Sequence, residues 1–234
     1  MTDKILLYDV KWTSVTAGPS PDDNKRTELF LAGCNKAYFG NPCKGCFNPK
    51  IWDPSSHAHA LTPREVLEGV RKFAPNHYIT IVGGEPIDQI VPLAETCRLL
   101  KEAGYHIILF THYTLEDLLL PDDEEISSGD NVVAKLLHNI DVLIDGEYDE
   151  TQRIYDESSE DGLHDAVGSA NQVIWDFKDW RKKSECGTVE YNIIGMKAGD
   201  LAGLTLVQND DLAYWTKEED TEFEKLSVMK DQAC

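Results

Sequence analysis

The chain has 234 residues, 41% of them apolar and 27% charged, with a formal net charge of −20. That length suits one ordinary domain plus an extension, and it can bury a core without disulfides. The acidic balance excludes binding by a general attraction to nucleic-acid phosphates, which needs a basic surface.

No apolar run approaches the ~18–20 residues that span a bilayer. Met1-Thr2-Asp3-Lys4 lacks the basic-then-apolar pattern of a signal peptide. The expectation is a cytoplasmic protein that touches neither membrane nor nucleic acid.

Thr27 to Ala32 reads as a strand ending at Gly33, with a cysteine segment straight after it. Thr62-Pro63-Arg64-Glu65 opens a helix. Thr62 caps it, Pro63 takes the first helical position and Glu65 completes a capping box. Val66, Val70 and Phe73 form the apolar face of that helix, with Leu67 beside them. Tyr78 to Val82 is a second strand, closed by Gly83-Gly84.

A further helix runs from Ile90 to Ala103, with Ile90, Leu93, Ala94, Cys97 and Leu100 on one face. Pro92 is tolerated in its first turn, and Gly104 caps its end. Tyr105 to Phe110 is a third strand, Leu115 to Leu120 a short helix, Asn131 to Asn139 another helix, and Asp141 to Ile144 a fourth strand. Past residue 150 the pattern weakens. Asp149 to Asp165 reads as an acidic mobile loop, Thr188 to Ile194 as a strand, and the chain beyond Asp210 as a tail of weak helical character. The acidic stretches from Asp122 to Asp130 and from Asp210 onward read as solvated loop and tail.

Strands with continuous apolar cores alternating with helices specify an α/β protein with a mainly parallel sheet of βα units. Chemistry in such sheets gathers in the loops after the strands' C-terminal ends. Three segments hold that place: the cysteines, Gly83-Gly84-Glu85-Pro86, and Thr111-His112-Tyr113.

Of six cysteines, Cys34, Cys43 and Cys46 fall within thirteen residues. Such clustering in a cytosolic chain points to metal or redox chemistry rather than disulfides. Cys97 reads as a small core residue and Cys234 as inert. Two residues separate Cys43 from Cys46, and eight separate Cys34 from Cys43. Gly40-Asn41-Pro42 favours a turn that folds the chain back. Three chemistries fit this spacing. One is a zinc site completed by a distant His. Another is an iron–sulfur cluster held by three thiolates, with one iron left open. The third is a thiol redox pair, although such a motif normally opens a helix and Pro49 disfavours a helical Asn48.

The run Leu31-Ala32-Gly33-Cys34-Asn35, followed by Cys43-Lys44-Gly45-Cys46-Phe47-Asn48-Pro49-Lys50-Ile51-Trp52-Asp53, resembles the cluster loop of glycyl-radical activating enzymes in the radical S-adenosylmethionine superfamily. The resemblance is closest to those that activate anaerobic ribonucleotide reductases. Gly83-Gly84-Glu85-Pro86 is similar to the family's S-adenosylmethionine segment, and Phe110-Thr111-His112-Tyr113 to its Thr-Gly-Tyr-like turn. Asp141 to Tyr148 and Gly168-Ser169-Ala170-Asn171-Gln172 resemble two later family segments, so the likeness spans about residues 25 to 175. Two departures stand out. The family has three residues where this chain has eight between its first two cysteines, so the extra ones, within Lys36 to Pro42, must loop out. His112 stands where the family usually has Gly.

The resemblance implies a partial, half-open βα barrel of radical S-adenosylmethionine type. It implies a [4Fe-4S] cluster on Cys34, Cys43 and Cys46, and S-adenosylmethionine bound by Gly83, Gly84, Glu85, Pro86, Thr111 and Asp145. It also implies an oxidoreductase that cleaves S-adenosylmethionine and sets a glycyl radical on a partner, the large subunit of an anaerobic ribonucleotide reductase. Its electron donor would be a flavodoxin or ferredoxin. The domain would cover residues 1–180, with its cluster loop at 33–49, and a C-terminal extension with a partly acidic tail would cover 181–234. Two alternatives stay open. One is a small-molecule radical enzyme resembling 7-carboxy-7-deazaguanine synthase, against which Phe47-Asn48-Pro49 and Gly168 to Gln172 speak. The other is a zinc-stapled binding module without turnover.

Overall fold

A computed structural model describes residues 4–14, 25–55, 58–119, 132–153 and 168–177, together with the backbone of four later strands. The strands are β1 (Ile5–Ser14), β2 (Arg26–Leu31), β3 (His59–Leu61), β4 (Tyr78–Gly83), β5 (His106–Phe110), β6 (Val142–Asp145) and β7 (Val173–Asp176). The later four are β8 (Glu190–Lys197), β9 (Leu204–Asn209), β10 (Leu212–Lys217) and β11 (Glu224–Lys230). The helices are α1 (Asn35–Tyr38), α2 (Pro63–Phe73), α3 (Ile90–Glu102), α4 (Leu115–Leu119) and α5 (Val132–Leu137).

Nine strands form one sheet in the order β11-β8-β7-β6-β5-β4-β2-β1-β3. Its centre, β2-β4-β5-β6, is parallel, as the βα pattern specifies. Its flanks are antiparallel: β1 and β3 on one side, β7, β8 and β11 on the other. The sheet curls into an incompletely closed barrel, the partial βα arrangement expected. No helix among the described residues is long and apolar enough to cross a membrane.

The four central strands and the helices α2 to α5 coincide with the sequence reading to within a residue or two at most ends. The chain past residue 210 does not. It forms β10 and β11 rather than a weakly helical tail, β10 pairing with β9 and β11 with β8. Leu212-Ala213-Tyr214-Trp215-Thr216 is rich in side chains that favour strands, and its partner is supplied by the adjacent hairpin arm. The stretch from Asp122 to Asp130, most of 149–165, Cys186 and Cys234 lie outside the described residues.

Because successive strand residues point to opposite faces, the central strands carry two interiors. Leu29, Leu31, Ile79, Ile81, Ile107, Leu109 and Leu143 face the helices, packing with Val66 and Val70 of α2 and with Leu93, Cys97 and Leu100 of α3. The alternate residues face the barrel. At its lower end the buried Arg26 donates from Nε to Thr80 Oγ1 (2.8 Å) and from Nη2 to the Ile79 carbonyl (2.6 Å). Arg26 Nη2 also lies 3.2 Å from His106 Nδ1. Burial holds that imidazole neutral, with its pKa down to about 3.

Helix α2 starts where the capping signal places it. Thr62 Oγ1 accepts from the Glu65 backbone N–H, and the Glu65 carboxylate accepts from the Thr62 N–H at 2.7 Å. Replacing Thr62 with Ala should therefore cost about 1 kcal/mol. The readout is a lower urea midpoint at an unchanged m-value.

Candidate metal centre

The parallel ladder does not stop where β2 and β4 end. The Gly84 N–H donates to the Leu31 carbonyl at 2.8 Å, and the Glu85 N–H to the Gly33 carbonyl at 2.7 Å. These bonds lay the Gly83–Pro86 segment along the start of the cysteine segment. They also explain the glycines. A Cβ on Gly83, at φ +134°, would overlap the Leu31 backbone, and one on Gly84 would overlap the Gly33 carbonyl oxygen.

Cys34 is fixed from its other side. The Gly33 N–H donates to the Ile51 carbonyl (2.8 Å) and the Cys34 N–H to the Trp52 carbonyl (3.0 Å). The eight residues before Cys43 are not a slack loop. They form α1, then turn back at Gly40 (φ +84°), with the Asn41 N–H on the Lys36 carbonyl. Lys36 pairs with Glu147 at 2.6 Å, anchoring the insertion to the chain after β6. Gly45 (φ +76°) then closes the turn between Cys43 and Cys46, and Glu150 packs where its Cβ would lie.

The result is one cavity of about 480 Å³ with Cys34, Cys43 and Cys46 on its wall. All three thiols are free. Each sulfur faces an N–H donor: the Ala37 backbone for Cys34, the Tyr148 backbone for Cys43, and the Trp52 indole for Cys46 at 3.3 Å. Burial nonetheless pushes the Cys34 thiol up to about 11 and raises that of Cys43. Thiols in this setting ionise when a cation arrives to balance them. Among the described residues no three His, Cys, Asp or Glu side chains converge as a single metal ion requires. A four-iron cluster asks for something different, each thiolate on its own iron. Three cysteines on the wall of a wide cavity suit that demand.

Gly83, Gly84, Glu85, Pro86 and Thr111 share this wall, with His112 beside them. Glu85 is 1% exposed. Its Oε1 accepts from the Ile87 N–H (2.9 Å) and the Thr111 hydroxyl (2.7 Å), and its Oε2 accepts from the His112 N–H (2.8 Å). It thus ties the loop after β4 to the loop after β5. Burial outweighs these donors and raises its pKa to about 7. His112 Nε2 lies 3.7 Å from Glu85 Oε2 and has no hydrogen-bond partner among the described residues. Asp145 stands behind the wall. Its carboxylate accepts from the Leu115 N–H (2.6 Å) and the Trp175 indole (2.8 Å), while the next residue, Gly146, lines the cavity. Gln172 bridges the Gly146 carbonyl and the Gly168 N–H, so the Gly168–Gln172 segment closes the same side.

Several wall residues escaped the sequence reading. Trp52, named there only as part of the cluster-loop run, donates from its indole to the Cys46 sulfur. Phe47 stacks on Tyr148 at 4.3 Å, with Arg153 over its ring at 5.2 Å. Lys11, Glu28 and Phe30 line the cavity from β1 and β2. Glu28 alone left a signal, a charge directly before the apolar run Leu29-Phe30-Leu31-Ala32.

Residues 23–175 match the family described as a 4Fe-4S single cluster domain. The chain is 27% identical over 165 residues to the anaerobic ribonucleoside-triphosphate reductase-activating protein of Haemophilus influenzae, covering 67% of this chain and 90% of that one. It is 28% identical over 170 residues to the protein of the same name from Pasteurella multocida, covering 68% and 91%. It is also 32% identical over 91 residues to the pyruvate formate-lyase-activating enzyme of Clostridium pasteurianum, covering 37% and 36%.

Two measurements test this geometry. Gly84→Ala should push the Gly33 carbonyl away, cost about 1–3 kcal/mol as overpacking does, and speed the reaction of Cys34 with a thiol reagent. Glu85 binds its proton more tightly folded (about 7) than at its ordinary value of 4.5. Its stabilising contribution is therefore full below pH 4.5 and is lost as pH rises to about 7, a change of about 3 kcal/mol. Urea midpoints across that range should fall in the wild type relative to Glu85→Gln.

Proposed function

We propose that this chain, which belongs to the 4Fe-4S single cluster domain family, is a radical S-adenosylmethionine activase. It sets a glycyl radical on a partner enzyme, the large subunit of an anaerobic ribonucleotide reductase. The observation that carries this reading is the convergence of Cys34, Cys43 and Cys46 with the Gly83–Pro86 segment on one cavity. The relatives named as reductase-activating proteins support the choice of partner.

Cys34, Cys43 and Cys46 would hold a [4Fe-4S] cluster. When bound, such a cluster leaves one iron for S-adenosylmethionine and supplies the electron that cleaves it to methionine and a 5′-deoxyadenosyl radical. The chain's own residues do the rest. Gly83, Gly84, Pro86 and Thr111 wall the place for S-adenosylmethionine. Glu85 has donors on both oxygens already, so it holds the Thr111–His112 turn in position. Asp145 acts from behind that wall by fixing Leu115 and Trp175. Phe47, Tyr148 and Arg153 pack on one another at the cavity wall beside the cysteines. A flavodoxin or ferredoxin would supply the electron.

Anaerobic reconstitution with iron and sulfide, then dithionite and S-adenosylmethionine, tests the reading. The protein should take up about four irons with matching sulfide and release 5′-deoxyadenosine. Cys43→Ala and Cys46→Ala should each abolish both, and Cys34→Ala should do the same if the long spacer keeps its thiolate on the cluster. Zinc without sulfide, or full iron and cleavage in the cysteine variants, would overturn the assignment.

A further inference from the structure

Below the cysteines, the barrel side of the sheet carries a charged pair that the cluster and the Gly83–Pro86 segment leave unused. Glu28 in β2 is 8% exposed. Lys11, its antiparallel neighbour in β1, lies 3.6 Å away. Both line the cavity that the three cysteines share. The Lys11 ammonium faces Glu28 Oε2 at that distance, too long for a hydrogen bond, and this oxygen has no hydrogen-bond partner among the described residues. A carboxylate oxygen removed from water without a donor is costly, which marks a place where a donor from outside fits.

The surroundings narrow what that donor is. Phe30 follows Glu28 on the same face of β2, and the Lys11 ammonium lies 4.7 Å from its ring centre. A second hollow, of about 340 Å³, shares Lys11, Phe30, Phe47 and Asn48 with the main cavity and runs out over Tyr8 and Lys50. The charged pair therefore stands where the cavity meets a surface groove. A groove continuous with the surface admits a chain that enters and leaves, which a free small molecule does not require.

We propose, resting on the activase reading, that Lys11 and Glu28 form the subsite that seats the peptide backbone of the partner's glycine segment. Each peptide group carries one N–H and one carbonyl. The Glu28 carboxylate accepts the N–H, a charge-assisted bond of the stronger kind. Lys11, whose side chain is 57% exposed, donates to a neighbouring carbonyl. Glycine has no Cβ, so its α-carbon can lie flat against Phe30. Neither partner alone serves: an acid without the lysine repels the carbonyl, and a lysine without the acid leaves the N–H unmet.

The test uses the reconstituted holoenzyme, dithionite, S-adenosylmethionine and a short capped peptide centred on α,α-dideuterated glycine. One C–D bond of the glycine breaks homolytically, the deuterium joins the 5′ carbon of the deoxyadenosyl radical, and the unpaired electron stays on glycine. Dithionite provides the single electron that starts the cycle. Mass spectrometry reads total 5′-deoxyadenosine, which reports cleavage, and its deuterated fraction, which reports abstraction from glycine.

In the wild type the deuterated fraction should rise with peptide and saturate. Glu28→Ala should lower that fraction about tenfold and raise the half-saturating peptide concentration. Glu28→Gln, which keeps the shape and one acceptor oxygen, should fall between the two. Anisotropy of a labelled copy of the peptide should show the same order of affinities without turnover. Wild-type saturation and binding retained in both Glu28 variants would overturn the subsite while leaving the activase reading intact. No 5′-deoxyadenosine from the wild type at all would overturn the activase reading, and the subsite with it.

Discussion

Two peptide hydrogen bonds beyond the ends of β2 and β4 hold the site together: Gly84 N–H to Leu31 and Glu85 N–H to Gly33. They prolong a parallel ladder by two rungs after the strands have ended. The cysteine segment and the Gly83–Pro86 segment are thereby one piece of backbone geometry, although fifty residues separate them in sequence. The constraint is severe, because neighbouring strands in a ladder lie only about 4.8 Å apart. At that separation the extra rungs leave no room for a Cβ on the β4 side. The need for Gly-Gly is met by the neighbouring strand before any ligand is considered. A glycine pair after a parallel strand thus serves two purposes, and closeness to β2 is sufficient cause for it.

Glu85 carries the same constraint one strand further. Its three donors come from the Ile87 backbone, the Thr111 hydroxyl and the His112 backbone, so a single side chain joins the loops that follow β4 and β5. Burying a carboxylate opposes its ionisation, and here burial outweighs three hydrogen bonds. The cysteines show the same balance. Each sulfur has one N–H donor, yet burial keeps Cys34 and Cys43 protonated until a positive charge arrives. The loop is shaped for thiolates but does not by itself provide the charge that thiolates need.

Much of this was legible in the sequence, and the reasons for the rest are local. The central strands and α2 and α3 announced themselves because their periodicity, caps and glycines agree with one another. The capping box at Thr62 was readable because both of its halves lie within four residues. The strands β1 and β7 were missed. In β1, Asp9 and Lys11 interrupt the apolar run, and β7 is only four residues long. Thr188 to Ile194 was readable as a strand and falls on β8, whereas β11 depends on β8, some thirty residues back, a partner that local pattern does not report. At the site, the cysteines and the Gly83–Pro86 segment could be named from spacing and resemblance. That Asp145 faces Trp175 and Leu115 rather than the cavity could not, since strand parity gives a side and not a hydrogen-bond partner. The eight-residue spacer was similarly opaque until α1 and the Gly40 turn showed how it returns Cys43 toward Cys34.

The parity of β2 gives these parts an order. Thr27, Leu29 and Leu31 point one way and Arg26, Glu28 and Phe30 the other. In a sheet with one wet face the second set would be ordinary surface residues. Here both faces are covered, so a charge on the barrel side must be met from within. Arg26 is met in this way by Thr80, the Ile79 carbonyl and His106, which ties the lower end of the barrel together, although His106 Nε2 itself has no hydrogen-bond partner among the described residues. Glu28, one step up the same strand, has the Lys11 ammonium 3.6 Å from Oε2 and no partner at hydrogen-bond distance there among the described residues. Two charged residues of the same strand face, two positions apart, therefore differ in kind. One completes the fold from inside, and the other is complete only with something that enters the cavity.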